Sequence, residues 1–340
     1  MTDAGKPKVV VLGGGNGTSR LLEALKPQLD AGEISSLHAL VLNADDGGST
    51  GRLREQYDVS AMGDLTKCLM ALSNFHGDIR GEQFLQALDH RFDRGDFSGH
   101  TMRNMFLTAL EMTRDSVDDA LAMMARLLTI PKNSGVVPTT LRPLTQQVVA
   151  DGQVLGEGQH FISHNVNLQA DPAWQPGAVQ VQFAEGDVDL NPRAAAVLEA
   201  ATHIIVAPGH TYGTILPTLA LQSLQRTITR NSAKLIVVMD LLTTPHRTDK
   251  YPGEDFVRVY EAYLGRSVDV VVGNTGTTDT ELVPGQAWVR FGEQEHTYEL
   301  ILDDVVSSER QQQTNQDSVP RAIVIHDAGK MKQLLQQLLS

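Results

Sequence analysis

Short runs of Val, Ile and Leu recur along the chain, and most are followed by a glycine or polar turn and then by a helix-period stretch. Such runs are typical of strands buried on both faces, and their alternation with helices predicts a mainly parallel sheet. The predicted strands are Lys8–Leu12, Leu37–Leu42, His203–Ala207, Lys234–Asp240, Val268–Gly273 and Ala322–His326. The predicted fold class is therefore α/β, a Rossmann-like doubly wound sheet with helices on both faces.

Two helical regions stand out between these strands. Asn191 is a good N-cap and Pro192 suits the first helical position, so together they predict a helix over Arg193–Ala201. From about residue 62 to residue 130 the pattern is helical throughout, which is more than one crossover between strands needs. We expect this block to form a helical cap beside the ligand loops.

The residue composition changes between residues 135 and 190, where segments rich in Thr, Val and Gln alternate with turn residues. Gln147–Ala150 and Gln153–Leu155 flank Asp151-Gly152, a pair that readily takes the positive φ angles of a two-residue hairpin turn. We interpret this region as a small β-rich inserted subdomain. The predicted organisation is an N-terminal Rossmann-like half with glycine loops and helical cap at 1–134, the insertion at 135–190 and the C-terminal half of the sheet at 191–340.

Composition limits the partners and the compartment. The net charge of −13, from 28 Lys+Arg against 41 Asp+Glu, disfavours a nucleic acid polymer, which needs a basic surface. A small anionic ligand stays compatible with that charge, because backbone N–H groups and a few arginines can hold phosphate locally. One cysteine, Cys68, allows no intramolecular disulfide, and the N-terminal apolar run is too short for a signal peptide or membrane span. We expect a cytoplasmic protein, and the sequence is compatible with a homo-oligomer.

The first candidate site follows the first predicted strand. There the chain runs through Gly13, Gly14, Gly15, Asn16 and Gly17 into a helical stretch that starts near Thr18. Glycines in this position let a phosphate approach the backbone at a helix N-terminus. The dinucleotide-binding fingerprint fits only in part, because a threonine stands where its third glycine would fall. A merely structural turn is the alternative.

A second glycine-rich loop follows the second predicted strand, and it contains Asp45, Asp46, Gly47, Gly48, Ser49, Thr50 and Arg52. If the two strands are parallel neighbours, both loops open on the same crevice, where open α/β sheets bind ligands. The aspartates suit a ribose hydroxyl or Mg²⁺, and the residues from Ser49 to Arg52 suit phosphate oxygens. The alternative is that the aspartates cap turns and the glycines only bend the loop.

The segment Gly47–Gly51 also matches the nucleophile-elbow pattern of serine hydrolases. An elbow needs its serine on the turn directly between strand and helix, whereas Ser49 lies about seven residues beyond the predicted strand. A ligand loop is therefore the better interpretation. Cys68 lies in an apolar helical run and is expected to be a buried small hydrophobe rather than a nucleophile.

Several motifs together carry a family resemblance that spans nearly the whole chain. They are Val11–Leu25, Ala44–Arg54, Gly63–Ser73, Gly99–Leu107, Ala207–Gly209, Leu241–Pro245, Thr248-Asp249 and His326-Asp327. In order and spacing they resemble the gluconeogenesis factor family, often called YvcK-like, within the superfamily of the 2-phospho-L-lactate transferase CofD. The loop with two aspartates followed by two glycines is the most specific of them.

The resemblance implies a cytoplasmic protein that binds nucleotide sugars such as UDP-N-acetylglucosamine and is needed for cell shape and wall synthesis during gluconeogenic growth. That binding requires no cofactor. The transferase branch implies instead a Mg²⁺-dependent enzyme with a nucleotide diphosphate donor, in which Asp45 and Asp46 would supply metal ligands. Both interpretations stay open, and neither assigns catalytic residues.

The two loops and the resembling motifs together define the expected ligand-binding residues. They are Gly13, Gly14, Gly15, Asn16, Gly17, Thr18, Asp45, Asp46, Gly47, Gly48, Ser49, Arg52, Asp64, His100, Asn104, Pro208, Gly209 and His210. The chain departs from the family pattern at Thr66, Lys67, Arg103 and His210, where arginine, asparagine, glycine and serine are usual. These departures bear on the exact ligand more than on the fold.

Overall fold

The computed structural model describes residues 5–164, 167–169, 175–249, 251–308 and 324–339 of the chain. The strands, in chain order, are β1 (Lys8–Gly13), β2 (Ser36–Val41), β3 (Ser134–Pro138), β4 (Gln146–Ala150), β5 (Gln153–Glu157), β6 (Gln180–Phe183), β7 (His203–Val206), β8 (Lys234–Val238), β9 (Val270–Asn274) and β10 (Glu299–Asp303). Seven of them form one parallel sheet, and β4, β5 and β6 form a small antiparallel sheet.

Helices connect the strands. They are α1 (Gly15–Asp30), α2 (Gly48–Tyr57), α3 (Met62–Ala71), α4 (Ile79–Asp89), α5 (Met102–Met112), α6 (Val117–Leu127), α7 (Gln159–His164), α8 (Pro192–Glu199), α9 (Leu216–Leu219), α10 (Gln222–Arg230), α11 (Gly253–Leu264) and α12 (Ala328–Leu339), and a π-helical turn at Thr211–Ile215 precedes α9. Within the described parts of the chain, every helix is too short or too polar to cross a lipid bilayer.

The strand order of the large sheet creates a crevice at its centre. The order is β10-β9-β8-β7-β1-β2-β3, and every pairing in it is parallel. The chain moves outward from β1 through β2 to β3, and it moves outward in the opposite direction from β7 to β10. The direction therefore reverses between the neighbours β1 and β7. Such a switch point, at the carboxyl ends of the strands, is where open α/β sheets bind their ligands.

Helices cover both faces of the sheet, as expected for a doubly wound fold. Val9 and Val11 of β1 pack into a core with α1, α3, α6 and α12, whereas Val10 and Leu12 pack into a second core with α8 to α11 and the small sheet. Successive residues of a strand point to opposite faces, so the continuous apolar run of β1 serves both cores. The predicted Rossmann-like fold class is confirmed.

Most strand predictions agree with the structure to within two residues, and one is wrong. Ala322–His326 was expected to be a strand; residues 322 and 323 lie outside the described residues, and 324–326 form no strand. His326 makes only an isolated antiparallel bridge with Val306, because its ring bonds the carbonyl of Met239 at 3.1 Å and α12 begins directly after it. The edge position belongs instead to β10, which the sequence pattern did not predict.

The inserted region folds as the turn residues indicate. Asp151 and Gly152 have φ of +49° and +75°, and they join β4 to β5 in the predicted hairpin. The segment Ser134–Pro138, at the predicted start of the insertion, is β3 and pairs with β2 in the large sheet. The small sheet therefore occupies Gln146–Phe183.

Candidate functional site

The loop between β1 and α1 leaves no room for side chains. Gly13 and Gly15 have φ of +146° and +64°, in the region that favours glycine. A Cβ at Gly14 would collide with the carboxylate of Asp64, and one at Gly17 would collide with the carbonyl oxygen of Pro208. These glycines therefore allow three segments of backbone and side chain to meet at the switch point.

Helix α1 begins at Gly15, earlier than the predicted start near Thr18, because Gly14 already acts as its N-cap. Gly14 has no side chain with which to cap the helix, and the Asp64 carboxylate accepts the N–H of Gly15 instead. The first N–H groups of a helix attract carboxylates and phosphates in this way. Asn16 is exposed at this end. Thr18 is fully buried, and its Oγ1 lies 2.8 Å from the position of a Cβ on Gly13, so it packs beneath the loop.

The two aspartates of the β2–α2 loop have different partners. Asp45 Oδ1 accepts the N–H of Gly47 at 2.9 Å, and its carboxylate also bonds the Thr50 side chain. Asp46 Oδ1 accepts the N–H of His160, at the start of α7, at 2.7 Å. Asp46 therefore joins α7 to the loop, whereas Asp45 bonds only residues close to it in the chain.

The amino end of α2 is open. Its N-cap is Gly47, again without a side-chain cap, and Gly48 is exposed, with no atom within 4 Å of the position of a Cβ. Two helices with glycine N-caps, α1 and α2, thus begin at the carboxyl edge of neighbouring strands. This arrangement is suited to a ligand that carries more than one phosphate.

Asp64 lies in the first turn of α3 and accepts the N–H of Gly15. Burial raises the pKa of Asp64 to about 7, and the nearby negative charge of Asp45 adds to the shift. Burial likewise raises the pKa of Asp45. Because the negative charge on one carboxylate disfavours ionisation of the other, the site favours a bound cation or a proton shared between them.

Lys67 and Arg103 lie beside Asp64 and oppose its rise in pKa. Burial lowers the pKa of both cations. Arg103 pairs with Asp89, yet its buried Nε has no hydrogen-bond partner among the described residues. Across the same described ranges, no acceptor lies within hydrogen-bond distance of the Lys67 ammonium. The sequence signal for Lys67 was its i+3 spacing from Asp64, which places both on one helix face.

A second group surrounds Ser49, which is 5% exposed in the first turn of α2. Ser49 Oγ lies 3.0 Å from His100 Nδ1, and Asn104 Nδ2 donates to the same oxygen at 3.3 Å. Arg52 Nε donates to His100 Nε2 at 3.3 Å. Four of the expected ligand-binding residues therefore form one hydrogen-bonded cluster, namely Ser49, Arg52, His100 and Asn104.

The loop after β7 reaches the crevice from the other side. Pro208 contacts Gly17, and the N–H of Gly209 donates to Asp240, at the end of β8. Burial raises the pKa of Asp240 to about 8. His210 Nδ1 accepts the N–H of Gly213 at 2.8 Å and so caps the π-helical turn. Asp240 is not among the expected site residues, although its place as the last residue of the predicted strand Lys234–Asp240 is a usable signal.

The structure brings the expected residues together in two groups around one crevice. Asp64 and Pro208 lie against the Gly13–Thr18 loop, Gly209 and His210 follow Pro208 in the chain, and His100 and Asn104 lie around the Gly47–Arg52 loop. Asp45 connects the groups, because its Oδ2 and Thr50 Oγ1 lie 3.2 and 2.7 Å from the position of a Cβ on Gly63. Cys68 is fully buried, and burial raises the pKa of its thiol, so it is the expected packing residue.

Magnesium was expected only in the transferase interpretation, on Asp45 and Asp46. The donor set fits that expectation in part, since carboxylate oxygens suit Mg²⁺ but Asp46 already bonds α7. Asp64 is a second candidate companion for Asp45, because the charge of Asp45 raises the pKa of Asp64. Among the described residues there is no group of three or more His, Cys, Asp or Glu side chains arranged to hold a metal ion.

Comparison with known proteins gives consistent results. A profile of the family described as 2-phospho-L-lactate transferase CofD matches residues 9–318. A protein named Gluconeogenesis factor from Listeria innocua is 34% identical over 285 residues, which are 83% of this chain and 82% of the relative. Its namesake from Listeria monocytogenes is 32% identical over 311 residues, with 89% and 90% covered. A solved structure of a UPF0052 family member from Bacillus halodurans has a TM-score of 0.79 at 24% identity, covers 97% of this chain and 98% of its own, and shows the same fold.

Proposed function

This chain belongs to the CofD family, which includes the proteins named Gluconeogenesis factor, and from that premise we propose that it binds a nucleotide sugar in the switch-point crevice. The observation that carries the proposal is the collision of a Cβ at Gly14 with Asp64 and of one at Gly17 with Pro208. Backbone N–H groups and the Asp64 carboxylate line the place where the two halves of the sheet meet. Such a surface suits the diphosphate of a nucleotide sugar such as UDP-N-acetylglucosamine.

Asp64 explains how a diphosphate could bind without a metal. Its carboxylate accepts the Gly15 N–H, the position that a phosphate oxygen would take. With a pKa of about 7, Asp64 gains a proton readily near neutral pH. A protonated carboxyl repels no phosphate and can donate a hydrogen bond to it. Lys67 and Arg103 would balance the remaining ligand charge.

A regulatory role follows from metal-free, non-destructive binding. We propose a cytoplasmic sensor of nucleotide sugars that supports cell shape and wall synthesis during gluconeogenic growth. This role rests on the family likeness and on the crevice, and it requires the ligand to remain intact in the complex.

Calorimetric titration of the protein with UDP-N-acetylglucosamine tests the proposal. We expect a saturable, one-to-one isotherm that persists with EDTA, because backbone N–H groups and fixed cations supply the affinity. Chromatography after several hours should recover the nucleotide sugar unchanged. UMP and free N-acetylglucosamine serve as matched ligands without the diphosphate, and equal binding of UMP would contradict the proposed role of the two helix N-termini.

The pair Asp45 and Asp64 favours a second candidate, a Mg²⁺-dependent transferase with a nucleotide diphosphate donor. When bound, Mg²⁺ would neutralise the donor's diphosphate and stabilise the leaving nucleotide. Asp45 and Asp64 would hold it, and Lys67 would lie beside the transferred group. This candidate replaces the sensor if the protein releases nucleoside monophosphate steadily from such a donor with Mg²⁺ and if Asp45→Asn abolishes that release.

A further inference from the structure

Two nitrogens lie within hydrogen-bond distance of the Ser49 hydroxyl. His100 Nδ1 lies 3.0 Å from Ser49 Oγ, and Asn104 Nδ2 donates to the same oxygen at 3.3 Å. A hydroxyl has two lone pairs and one hydrogen. If both nitrogens donate, the only hydrogen-bonding capacity that Ser49 retains is its own proton.

Arg52 determines that His100 is the donor. A guanidinium can only donate, so the 3.3 Å bond from Arg52 Nε requires a lone pair on His100 Nε2. In a neutral imidazole the proton must then reside on Nδ1, the nitrogen that faces Ser49. Burial, Arg52 and Arg91 lower the pKa of His100, which keeps the ring neutral at physiological pH.

We infer that the chain Arg52–His100–Ser49 makes Ser49 a fixed hydrogen-bond donor to an anionic oxygen of the ligand. Ser49 lies in the first turn of α2, whose N-cap Gly47 has no side-chain cap. A phosphate oxygen at this helix end would take the serine proton together with backbone N–H groups. Arg52 and His100 are positioning residues in this arrangement. The identity of the acceptor rests on the proposed function, whereas the direction of the hydrogen bonds does not.

The same direction prevents Ser49 from acting as a nucleophile. In a serine hydrolase the histidine must accept the hydroxyl proton, but here the nitrogen next to Ser49 already carries a proton. Arg52 also occupies the opposite ring nitrogen, where an activated histidine would have a carboxylate. The Gly47–Gly51 segment therefore matches the sequence of a nucleophile elbow, but its serine donates a hydrogen bond to a ligand instead of giving its proton to the histidine.

Nitrogen NMR of the histidine rings tests the direction in the ligand-free protein. Long-range ¹H–¹⁵N correlation of the ¹⁵N-histidine-labelled chain, assigned with His100→Gln, should show His100 protonated on Nδ1. Arg52→Leu should introduce the Nε2-protonated form, because the bond that selects the tautomer is lost. A wild-type ring protonated on Nε2, or labelling of Ser49 by a fluorophosphonate, would overturn the inference.

Titration with UDP-N-acetylglucosamine tests the acceptor. Ser49→Ala should weaken the affinity about tenfold, the size of one hydrogen bond to a charged group. Ser98→Ala is the matched control, because that serine is exposed and contributes only its carbonyl to Arg52. Undiminished affinity of Ser49→Ala overturns the donor role. If the wild-type protein binds no nucleotide sugar, the proposed function fails, and the NMR result alone decides the direction of the bonds.

Discussion

The two sides of the crevice differ in charge. On the β1–β2 side, Asp64 lies close enough to Lys67 and Arg103 for each charge to shift the pKa of the other, and Asp45 raises the pKa of Asp64. On the β7–β8 side, Asp240 bonds Gly209 and has a pKa of about 8, so it is mostly neutral at pH 7. A ligand with a charged end and an uncharged end would therefore bind in one orientation, its phosphates over the β1–β2 side.

The side chains beneath the β7–β8 side are uncharged as well. Tyrosines lie beneath the loop after β7, where the hydroxyls of Tyr212 and Tyr251 are 2.8 Å apart and the Tyr260 hydroxyl lies 3.3 Å from Thr211 Oγ1. Burial raises the pKa of all three phenols, so this side carries neutral hydrogen-bonding groups. The β1–β2 side of the crevice therefore offers charged groups, and the neighbouring β7–β8 side offers neutral hydrogen-bonding groups.

The largest expected effect comes from filling the β1–α1 loop. Gly14→Leu should abolish binding of UDP-N-acetylglucosamine, because the side chain would displace Asp64 and occupy the phosphate position. The fold should survive, since Gly14 has an extended φ of −162° and its nearest contact is the end of a flexible side chain. Calorimetry and thermal melting measure the two outcomes.

Gly135→Ala on β3 is the control for that variant, because a Cβ there meets only His38, at 3.8 Å. It should bind like the wild type. Retained binding by folded Gly14→Leu would show that the loop is a structural turn only.

A smaller effect should follow from removing one charge on the β1–β2 side. Lys67→Met should weaken binding of the nucleotide sugar about tenfold, because the partly buried ammonium makes no hydrogen bond to the described residues and would bond a phosphate oxygen in the proposed complex. Lys132 is an exposed lysine just before the amino end of β3, whereas the crevice lies at the carboxyl ends of the strands. Lys132→Met should therefore leave the affinity for the nucleotide sugar unchanged. If the two variants bind equally well, the charged side does not contact the phosphates.

The smallest effect concerns the neutral side and depends on pH. The pKa of Asp240 is raised from 3.8 to about 8 in the folded chain, so its contribution to stability is complete below 3.8 and is lost progressively as the pH rises from there to 8. Asp240→Asn resembles the protonated form and should raise Tm by about 2 °C at pH 9. The difference should shrink as the pH falls and vanish only below 3.8, where the carboxyl group is protonated in both states. Equal melting of both proteins at pH 9 would place Asp240 in contact with solvent.

The sequence predicted the sheet better than the contacts between its loops. β1, β7 and β8 are continuous apolar runs, whereas β10 (Glu299–Asp303) is half-exposed at an edge and its pattern resembles a loop. The glycine loops were placed correctly because they follow predicted strands. Asp46 and His160 are 114 positions apart, and their bond depends on how the small sheet docks. Local pattern carries no information on such a pair, so the sequence predicts only a ribose hydroxyl, Mg²⁺ or a turn as the partner of Asp46.

The central position of β1 determines when the crevice can form during synthesis. β1 pairs with β2 and with β7, so Val9 lies opposite both Leu37 and His203. A ribosome-bound chain that ends before β7 has the glycine loops but lacks Pro208, Gly209 and one neighbour of its central strand. Non-local pairing of this kind slows folding and leaves apolar strand edges exposed in the meantime. The crevice can therefore form only after β7 and the loop that follows it have emerged from the ribosome.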